Sequence, residues 1–461
     1  MKLGSVSGGG LFMDLLRDDT KKLFLRYLFP SFGSAIIACV YSLVDMAAVG
    51  QYKGSEGTAA LAVIAPIWNV IYSIGLLGGI GGSVIFSALK GKEDDVRNRN
   101  SYFTVSLVLV AILSVLSTIT LAIFMDDILR FFGATDSLLP LCHEYLNPIM
   151  FVLPSFAINQ LLAAFLRNDG DPALAMIAVI GGGIFNVIGD FSFVFLFGLG
   201  LFGAGLATAI GSVITIIVMC IHFFKKKNTL RFAEPDRFFV KSWEISRSGF
   251  SSFFVDFAMG IITIFFNRQI MAYVSSGEDA LAIYGVILNV NTFVQCCAYG
   301  VGQAAQPIIS VNYGAKKYDR IKEILKYSLI SIGIISLLWG VFSMAFPNVY
   351  VLLFISGGER LFEMSGKIIR LYAISFFLLP FNIFSTYYFQ SLLKPGTAFI
   401  VSILRGFLLS GALIFMFPPL FGGDSLWLSM PISETIVAIY VVVMIVIYTK
   451  KLGEKDPKET E

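Results

Sequence analysis

The sequence predicts an all-α integral membrane protein, with twelve transmembrane helices in two pseudo-symmetric six-helix lobes. Of its 461 residues, 56% are hydrophobic and only 14% are charged, whereas soluble proteins carry about 25% charged residues. Twelve apolar segments are each long enough to cross a bilayer, which takes about 20 residues. A weak internal repeat relates the second six segments to the first six, as in many secondary transporters.

The predicted spans follow directly from hydropathy. In the first half they lie near residues 23–49, 58–89, 101–125, 138–166, 172–197 and 201–224. In the second half they lie near residues 246–274, 280–310, 324–346, 361–392, 396–418 and 425–449. The domain organisation that we expect is an N-terminal lobe at 1–225, a linker at 226–244, a C-terminal lobe at 245–450 and a tail at 451–461.

The repeat has a spacing of about 222 residues. Gly170-Asp171-Pro172, between the fourth and fifth spans, resembles Leu393-Lys394-Pro395 between the tenth and eleventh.

Lys and Arg concentrate at the termini and in alternate loops, above all in the basic stretch 225–247. By the positive-inside rule, both termini are expected in the cytoplasm and the chain in the inner membrane. Residues 1–20 show no evident cleavable signal peptide.

Composition excludes several classes of function. A net charge of +3 without a basic stripe argues against binding of nucleic acid. Two His and no paired CxxC motif argue against a metal centre, and we interpret the five Cys as small core hydrophobes. The sequence has no phosphate-binding loop for ATP, and the Gly-rich stretch 198–203 is interpreted as a turn between spans. No cofactor is expected.

A few polar residues inside the apolar spans are the strongest functional signal, because an acid in a bilayer is costly and usually functional. Asn186 and Asp190 are four residues apart, so they share a helix face. Asp45 is expected about 6–8 Å below the outer end of span one, and Asp190 and Thr208 about 10 Å below theirs. All four polar groups can therefore meet at one depth in the N-terminal half.

Two carboxylates, an amide oxygen and a hydroxyl suit a small cation, and the same pair of acids can instead hold a proton, since burial and a like charge favour the neutral form. The coupling ion is therefore H+ or Na+. The alternative is a hydrogen-bonded aspartate that only holds helices together. Asn159, in span four, either joins this site or makes a helix–helix hydrogen bond.

The C-terminal half contains a different set of charges. Arg405 and Glu434 lie on adjacent spans and are expected to form a structural ion pair, because an unpaired charge at that depth is costly. Asp256, near the middle of span seven, has no expected partner. It is a candidate ion relay or a counter-charge for the substrate.

Several segments match one known family in order and spacing. They are SLVDMAAVGQYKGSEGTAALAV at 42–63, LRNDGDPALAM at 166–176, NVIGDFSFVFLFGLGLFGAGLATAIG at 186–211, GVGQAAQPIISVNYGAKKYDR at 300–320 and LRGFLLSGALIFMFPPLFGGDSLWLSMPISE at 404–434. Over about residues 20–450 the chain resembles the multidrug and toxic compound extrusion (MATE) family, nearest its prokaryotic branch that resembles DNA-damage-inducible protein F. The resemblance implies a V-shaped pair of lobes and exchange of Na+ or H+ for organic cations or other amphipathic compounds.

The resemblance also implies a cation site in the N-terminal lobe at Asp45, Asn186, Asp190 and Thr208. Another branch of the family uses an acid near the place that Met259 holds here, so a second cation site in the C-terminal lobe is not expected. We expect a monomer in contact with membrane lipids. Two other functions remain open, a lipid-linked oligosaccharide flippase of the same architecture and an intramembrane aspartyl protease. The sequence leaves the exported compound open.

Overall fold

A computed structural model describes residues 14–93, 95–274, 276–354 and 359–452. Within these ranges the chain is helical and contains no strand. Ten helices are long and apolar enough to cross a membrane, and one bent pair, Leu139–Met150 with Leu153–Asn168, adds an eleventh span. The remaining span lies in the first helix, whose 72 residues would measure about 108 Å if straight. The described ranges therefore contain the twelve predicted spans.

The described part of the first half contains seven α-helices. They are α1 (Thr20–Gly91), α2 (Val96–Ile123), α3 (Met125–Phe131), α4 (Leu139–Met150), α5 (Leu153–Asn168), α6 (Pro172–Asp190) and α7 (Gly200–Cys220). Gly54 breaks α1 with φ 64° and ψ −143°, so α1 is two spans joined by a glycine that accepts this conformation. Gly198 and Gly200 have positive φ, so the Gly-rich stretch 198–203 begins with the predicted turn, and from Gly200 onward it is already part of α7.

Among the described residues of the second half there are nine α-helices. They are α8 (Phe238–Tyr273), α9 (Gly277–Gly314), α10 (Tyr318–Ala345), α11 (Pro347–Phe354), α12 (Glu359–Ala373), α13 (Leu379–Ser391), α14 (Pro395–Ile403), α15 (Leu409–Phe421) and α16 (Ser429–Lys451). The short helices α3 and α11 lie at corresponding points of the two halves. Because α8 begins at Phe238, the last part of the predicted linker 226–244 is already helical.

The buried hydrophobic residues form two large cores. One core belongs to the first half and includes Phe103, Leu146 and Phe165. The other belongs to the second half, but it also takes in residues at both ends of α1, such as Phe24 and Val84. We call the end of the molecule that contains Asp19, Gly91 and the connection 225–237 the linker side. The two lobes of this V-shaped all-α fold are thus packed together on the linker side.

Glycines allow the lobes to approach on the linker side until backbone meets backbone. A Cβ added at Gly91 would lie 1.9 Å from the carbonyl oxygen of Val311, and one at Gly314 would lie 1.9 Å from that of Ala88. The contact between α1 and α9 is therefore reciprocal. A second close approach joins α1 to α8, where a Cβ at Gly249 would lie 1.9 Å from the oxygen of Leu77. We call these contacts the glycine seal.

The structure corrects one interpretation of the cysteines. Cys39 of α1 and Cys296 of α9 form a disulfide between the two lobes, with their Cα atoms 7.5 Å apart. Cys142, Cys220 and Cys297 are free. The sequence interpretation of all five as core hydrophobes was therefore wrong for two of them. These two are separated by 257 residues, and hydropathy says nothing about which spans face each other.

A buried ionic cluster lies on the linker side of the N-terminal lobe. His222 Nε2 is 2.9 Å from Asp169 Oδ2, and its Nδ1 is 3.0 Å from Asp171 Oδ2. Lys90 Nζ lies 2.6 Å from Asp169 Oδ1, and Lys225 Nζ lies 2.6 Å from Asp171 Oδ2. The cluster joins the end of α1, the loop between α5 and α6, and the chain just after α7. It therefore anchors the start of the linker to the lobe.

Asp169 is held in its charged form. Burial by itself raises the pKa of this carboxyl, but hydrogen bonding to His222 and the charge of Lys90 outweigh burial and lower the pKa below its usual range. The backbone N–H of Thr229 also donates to Asp169 Oδ2, at 2.9 Å. A depressed pKa in the folded state stabilises the fold above the unfolded-state pKa of about 3.9, and this contribution is lost as the pH falls below that value.

We expect Gly91→Ala to destabilise the packed linker side, because the new Cβ meets a backbone oxygen that cannot rotate away. Overpacking of this kind lowers the free energy of unfolding by about 1–3 kcal/mol. The variant should therefore have a lower midpoint of thermal unfolding and faster hydrogen exchange in residues 84–91. Gly333→Ala is the matched control, since a Cβ there has no neighbour within 4 Å among the described residues. Equal unfolding midpoints for the two variants would contradict the seal.

We expect Asp169→Asn to lower the free energy of unfolding at pH 7 by about 3–5 kcal/mol, because it leaves buried donors and charge without their anion. The difference from wild type should shrink as the pH falls below about 4, because the carboxyl of the unfolded wild-type chain then takes up a proton while the folded one is still charged, and the wild type loses this part of its stability. Denaturant unfolding at the two pH values measures both effects. Asp136→Asn removes an exposed carboxylate paired with Arg130 and should change little, and a similar loss there would count against the cluster.

Candidate functional site in the N-terminal lobe

Asp45 lies in the first span of α1 and is held by a tyrosine of α4. The Tyr145 hydroxyl donates to Asp45 Oδ2 at 2.7 Å, and the side chain of Tyr145 is buried. Asp45 Oδ1 is buried and has no hydrogen-bond partner among the described residues. The helix continues to the break at Gly54, so Asp45 lies about 13 Å along the helix from that break.

Asn186, Asp190 and Thr208 meet where α6 packs against α7. Asn186 Nδ2 donates to Thr208 Oγ1 at 3.0 Å and lies 3.5 Å from Asp190 Oδ1. Asp190 is fully buried, and Asn186 is only 4% exposed. Asn186 and Asp190 share one helix face, as predicted, and Asn186 lies between the Asp190 carboxyl and the Thr208 hydroxyl of α7.

Glycines bring the two helices close enough for this contact. A Cβ at Gly182 of α6 would lie 2.1 Å from Thr215 Oγ1, and one at Gly189 would lie 2.7 Å from the Cβ of Ala207. Immediately after Asp190 the chain forms a π-helical turn over Phe191–Leu196, a local irregularity that often occurs at functional sites. The packing of α6 on α7 therefore depends on small residues on both sides of the polar group.

Tyr145 links the two parts of the site, and sequence reasoning missed it. Its hydroxyl, bonded to Asp45, also lies beside Thr208. Asp45 and Asp190 are close enough to interact electrostatically. The four predicted residues thus form one group, with Tyr145 between Asp45 and the rest. A hydroxyl in an apolar span is the only signal that the sequence offers for Tyr145, and many tyrosines share it.

The site presents several acceptor oxygens without donors. Asp45 Oδ1, Asn186 Oδ1 and Asp190 Oδ2 are each buried and lack a hydrogen-bond partner in the described part of the chain. Buried polar atoms are normally satisfied, so each such atom needs a reason. Carboxylate and amide oxygens are ligands for hard cations, and a carboxylate can also be satisfied by taking up a proton. The arrangement therefore suits either a proton or a small hard cation.

No cluster of three His, Cys, Asp or Glu that could hold a metal occurs among the described residues.

Asn159 occupies a separate position. Its Nδ2 donates to the backbone oxygen of Ser212 at 3.1 Å and to the Ser212 hydroxyl at 2.8 Å. Within the described ranges it makes no hydrogen bond to the four residues of the site, although its Oδ1 is also buried and unpartnered. Ser212 lies one turn beyond Thr208 on α7. Asn159 therefore makes a helix–helix hydrogen bond next to the site.

The C-terminal lobe contains a carboxylate that is fully satisfied. Arg405 Nε lies 2.7 Å from Glu434 Oε1, and Asn382 Nδ2 donates to Glu434 Oε2 at 2.6 Å. Glu434 is fully buried and Arg405 is 7% exposed. The structure thus brings Arg405 and Glu434 together, with Asn382 as a third member that the sequence did not indicate. The backbone of Asp256 lies in α8, but its side chain falls outside the described part of the structure.

Comparison with known proteins identifies the family. The sequence profile of the MatE family matches residues 30–192 and 250–416. The chain belongs to the MatE family. The two matched segments of this MatE protein fall in its two lobes. Asp45, Tyr145, Asn186 and Asp190 lie in the first matched segment, and Thr208 lies beyond its end.

Relatives match this MatE protein along nearly its whole length. It is 24% identical to the multidrug export protein MepA of Staphylococcus aureus (strain N315) over 440 residues, 94% of each chain. It is also 24% identical over 437 residues to the multidrug export protein MepA of Staphylococcus saprophyticus. Both matches span the N-terminal site and the C-terminal lobe together.

Solved structures share the fold of this MatE protein. One, described as an outward-facing conformation of a multidrug resistance MATE family transporter of the MOP superfamily, has a TM-score of 0.87 and 23% identity, covering 96% of this chain and 98% of that one. Another is a MOP superfamily transporter from Pyrococcus furiosus Vc1, described as having reverse polarity of its binding pocket. It also has a TM-score of 0.87 and 23% identity, covering 98% and 100% of the two chains.

We expect Tyr145→Phe to change the surroundings of the Asp45 carboxyl with little effect on the fold. Loss of the 2.7 Å hydrogen bond removes a donor from a buried carboxylate, which costs about 1–3 kcal/mol for the charged form. The carboxyl band of Asp45 in infrared difference spectra should therefore shift in frequency relative to wild type. Tyr327→Phe, in α10 of the other lobe, is the control, and an identical band position in both variants would refute the link between Tyr145 and Asp45.

Proposed function

We propose that this chain is a secondary active multidrug efflux transporter. It exports organic cations and amphipathic compounds in exchange for H+ or Na+ by alternating access. The observation that carries the proposal is the group of buried oxygens of Asp45, Asn186 and Asp190 that lack donors. The named function of the MepA relatives, multidrug export, supports the class of cargo.

The site can bind either coupling ion for the same physical reason. A buried carboxylate without a donor is stabilised by a proton or by a cation that its oxygens coordinate. For Na+, the ligands would come from Asp45, Asn186, Asp190 and the Thr208 hydroxyl. Two acids with one charge-neutralising ion fit a cycle in which the site is alternately loaded and empty.

Coupling between ion and cargo runs through α1. The outer part of its first span holds Asp45 against Tyr145, and lower on the same span Phe32 packs against Gly300 of the other lobe. A change in the charge at Asp45 therefore acts on a helix that also forms the contact between the lobes. Ion and cargo shift the equilibrium between two states of the lobes when each binds one state more tightly.

The positive-inside pattern supports a multi-pass inner-membrane protein with both termini in the cytoplasm. In that orientation the glycine seal closes the cytoplasmic side, and the lobes diverge toward the outside. The structure then corresponds to the outward-facing state. A single chain contains both lobes and the whole ion site, which supports a monomer in contact with membrane lipids.

The two alternative functions, a flippase and an aspartyl protease, have less support. A flippase for lipid-linked oligosaccharides needs several free cations in its cleft for a pyrophosphate. Arg405 is bonded to Glu434, so its charge is not free to bind a pyrophosphate. An aspartyl protease needs a water held between two acids in contact with a peptide, whereas Asp45 here is bonded to Tyr145.

We expect Asp190→Asn to abolish transport while the protein still folds, because asparagine has nearly the same shape but cannot lose or gain the charge that couples the ion. In proteoliposomes, counterflow of ethidium driven by an imposed gradient should fall to the level of empty vesicles. Asp319→Asn, which changes an exposed acid in α10, should transport like wild type. Unchanged transport by Asp190→Asn would remove this mechanism.

The coupling ion is tested by imposing the two gradients separately. A Na+ gradient at constant pH and a pH gradient without Na+ are applied to the same vesicles. Transport with the first alone assigns Na+, and transport with the second alone assigns H+. Transport that needs neither would refute antiport by this chain.

A further inference from the structure

Two cysteines from opposite lobes meet inside the protein. The structure joins Cys39 of α1 and Cys296 of α9 through their sulfur atoms. Both residues are partly exposed, whereas Cys297, next to Cys296 in the chain, is buried and free. The bond is therefore selective for the pair that lies at the contact between the lobes.

This pair lies where that contact ends. Two turns toward the linker side on α1, Phe32 packs so closely on Gly300 of α9 that an added Cβ would lie 3.0 Å from its ring. One turn in the other direction, Ser42 and Thr292 are both exposed. The lobes therefore pack closely below the two cysteines, and the two side chains one turn above them are exposed. We call this boundary the floor of the cleft.

We propose that Cys39 and Cys296 form a reversible redox lock, in which an oxidised pair holds the two lobes together and stops alternating access. The lock rests on the proposed transport function, because it acts by preventing the lobes from exchanging positions. A covalent bond between α1 and α9 at the cleft floor fixes the spacing of the helices between which cargo has to pass. It also holds α1, which carries Asp45.

The oxidant is a hydroperoxide, which reaches the partly exposed thiols through the open cleft. One thiolate attacks the peroxide oxygen, the O–O bond breaks, and a sulfenic acid and water form. The second thiol then attacks the sulfenic sulfur and releases a second water, leaving the disulfide. With hydrogen peroxide, two thiols and one peroxide give one disulfide and two waters. A dithiol reductant reverses the step by thiol–disulfide exchange.

The test uses the full chain in proteoliposomes under three successive conditions: reduced with dithiothreitol, oxidised with hydrogen peroxide, and reduced again. Ethidium counterflow is measured in each state. In parallel, free thiols are alkylated, the protein is digested without reduction, and the peptide linked through Cys39 and Cys296 is quantified by mass spectrometry. Hydrogen exchange in 84–91 and 311–314 reports opening of the glycine seal without reference to transport.

We expect oxidation to produce the linked peptide, to lower counterflow by about tenfold or more and to slow exchange at the seal, with all three effects reversed by reduction. Cys39→Ser and Cys296→Ser should transport like the reduced wild type, and peroxide should not change their counterflow. Cys297→Ser is the matched control, because it changes the neighbouring thiol and should remain sensitive. Cys142→Ser, at another buried free thiol, should also remain sensitive.

Other outcomes overturn the lock. Absence of the linked peptide after oxidation would show that the pair does not react, and linkage without any change in counterflow or exchange would show that the bond does not restrain the lobes. Equal inhibition of Cys39→Ser by peroxide would place the effect at another residue. If the reduced wild type moves no ethidium, the proposed function fails, and the lock is then decided by the linked peptide and by exchange at the seal.

Discussion

Two carboxylates buried in a hydrocarbon-like lobe with too few donors are the constraint on which this molecule depends. Among the described residues, the donor to Asp45 is Tyr145 and the donor to Asp190 is the distant amide of Asn186, so an oxygen of each acid remains unsatisfied. A buried charge is tolerated when it is paired and hydrogen-bonded. The charged form of the site therefore lacks partners, and this is why we propose that it binds an ion.

The other lobe shows what a satisfied acid looks like in the same environment. Glu434 receives Arg405 on one oxygen and Asn382 on the other, so its charge is neutralised permanently by the fold. Removal of either partner would leave a buried charge unpaired. An added ion would gain no contact, because both carboxylate oxygens of Glu434 already have partners. The two lobes therefore differ in how their buried acids are satisfied, despite their similar architecture. Our proposal places ion binding in the N-terminal lobe for this reason.

The first span of α1 connects the responsive site to the contact between lobes. It carries Asp45 on its outer part, Cys39 about two turns below, and Phe32 lower still, against the other lobe. The same helix continues past Gly54 into the second span, which ends at Gly91 in the seal. The seal and the ionic cluster around Asp169 hold the linker side together, so the freedom to move is concentrated on the opposite side.

Hydropathy, charge and spacing by themselves determined the twelve spans, the repeat and the polar residues of the N-terminal site, because each of these depends on a local property of one helix. The helix face shared by Asn186 and Asp190 is such a property, and the structure has it. Tertiary structure alone decided that Tyr145 stands between the acids, that Asn159 turns to Ser212, and that Cys39 meets Cys296. Contacts between helices far apart in the chain depend on how whole lobes pack, and in a uniformly apolar sequence many packings satisfy the same pattern.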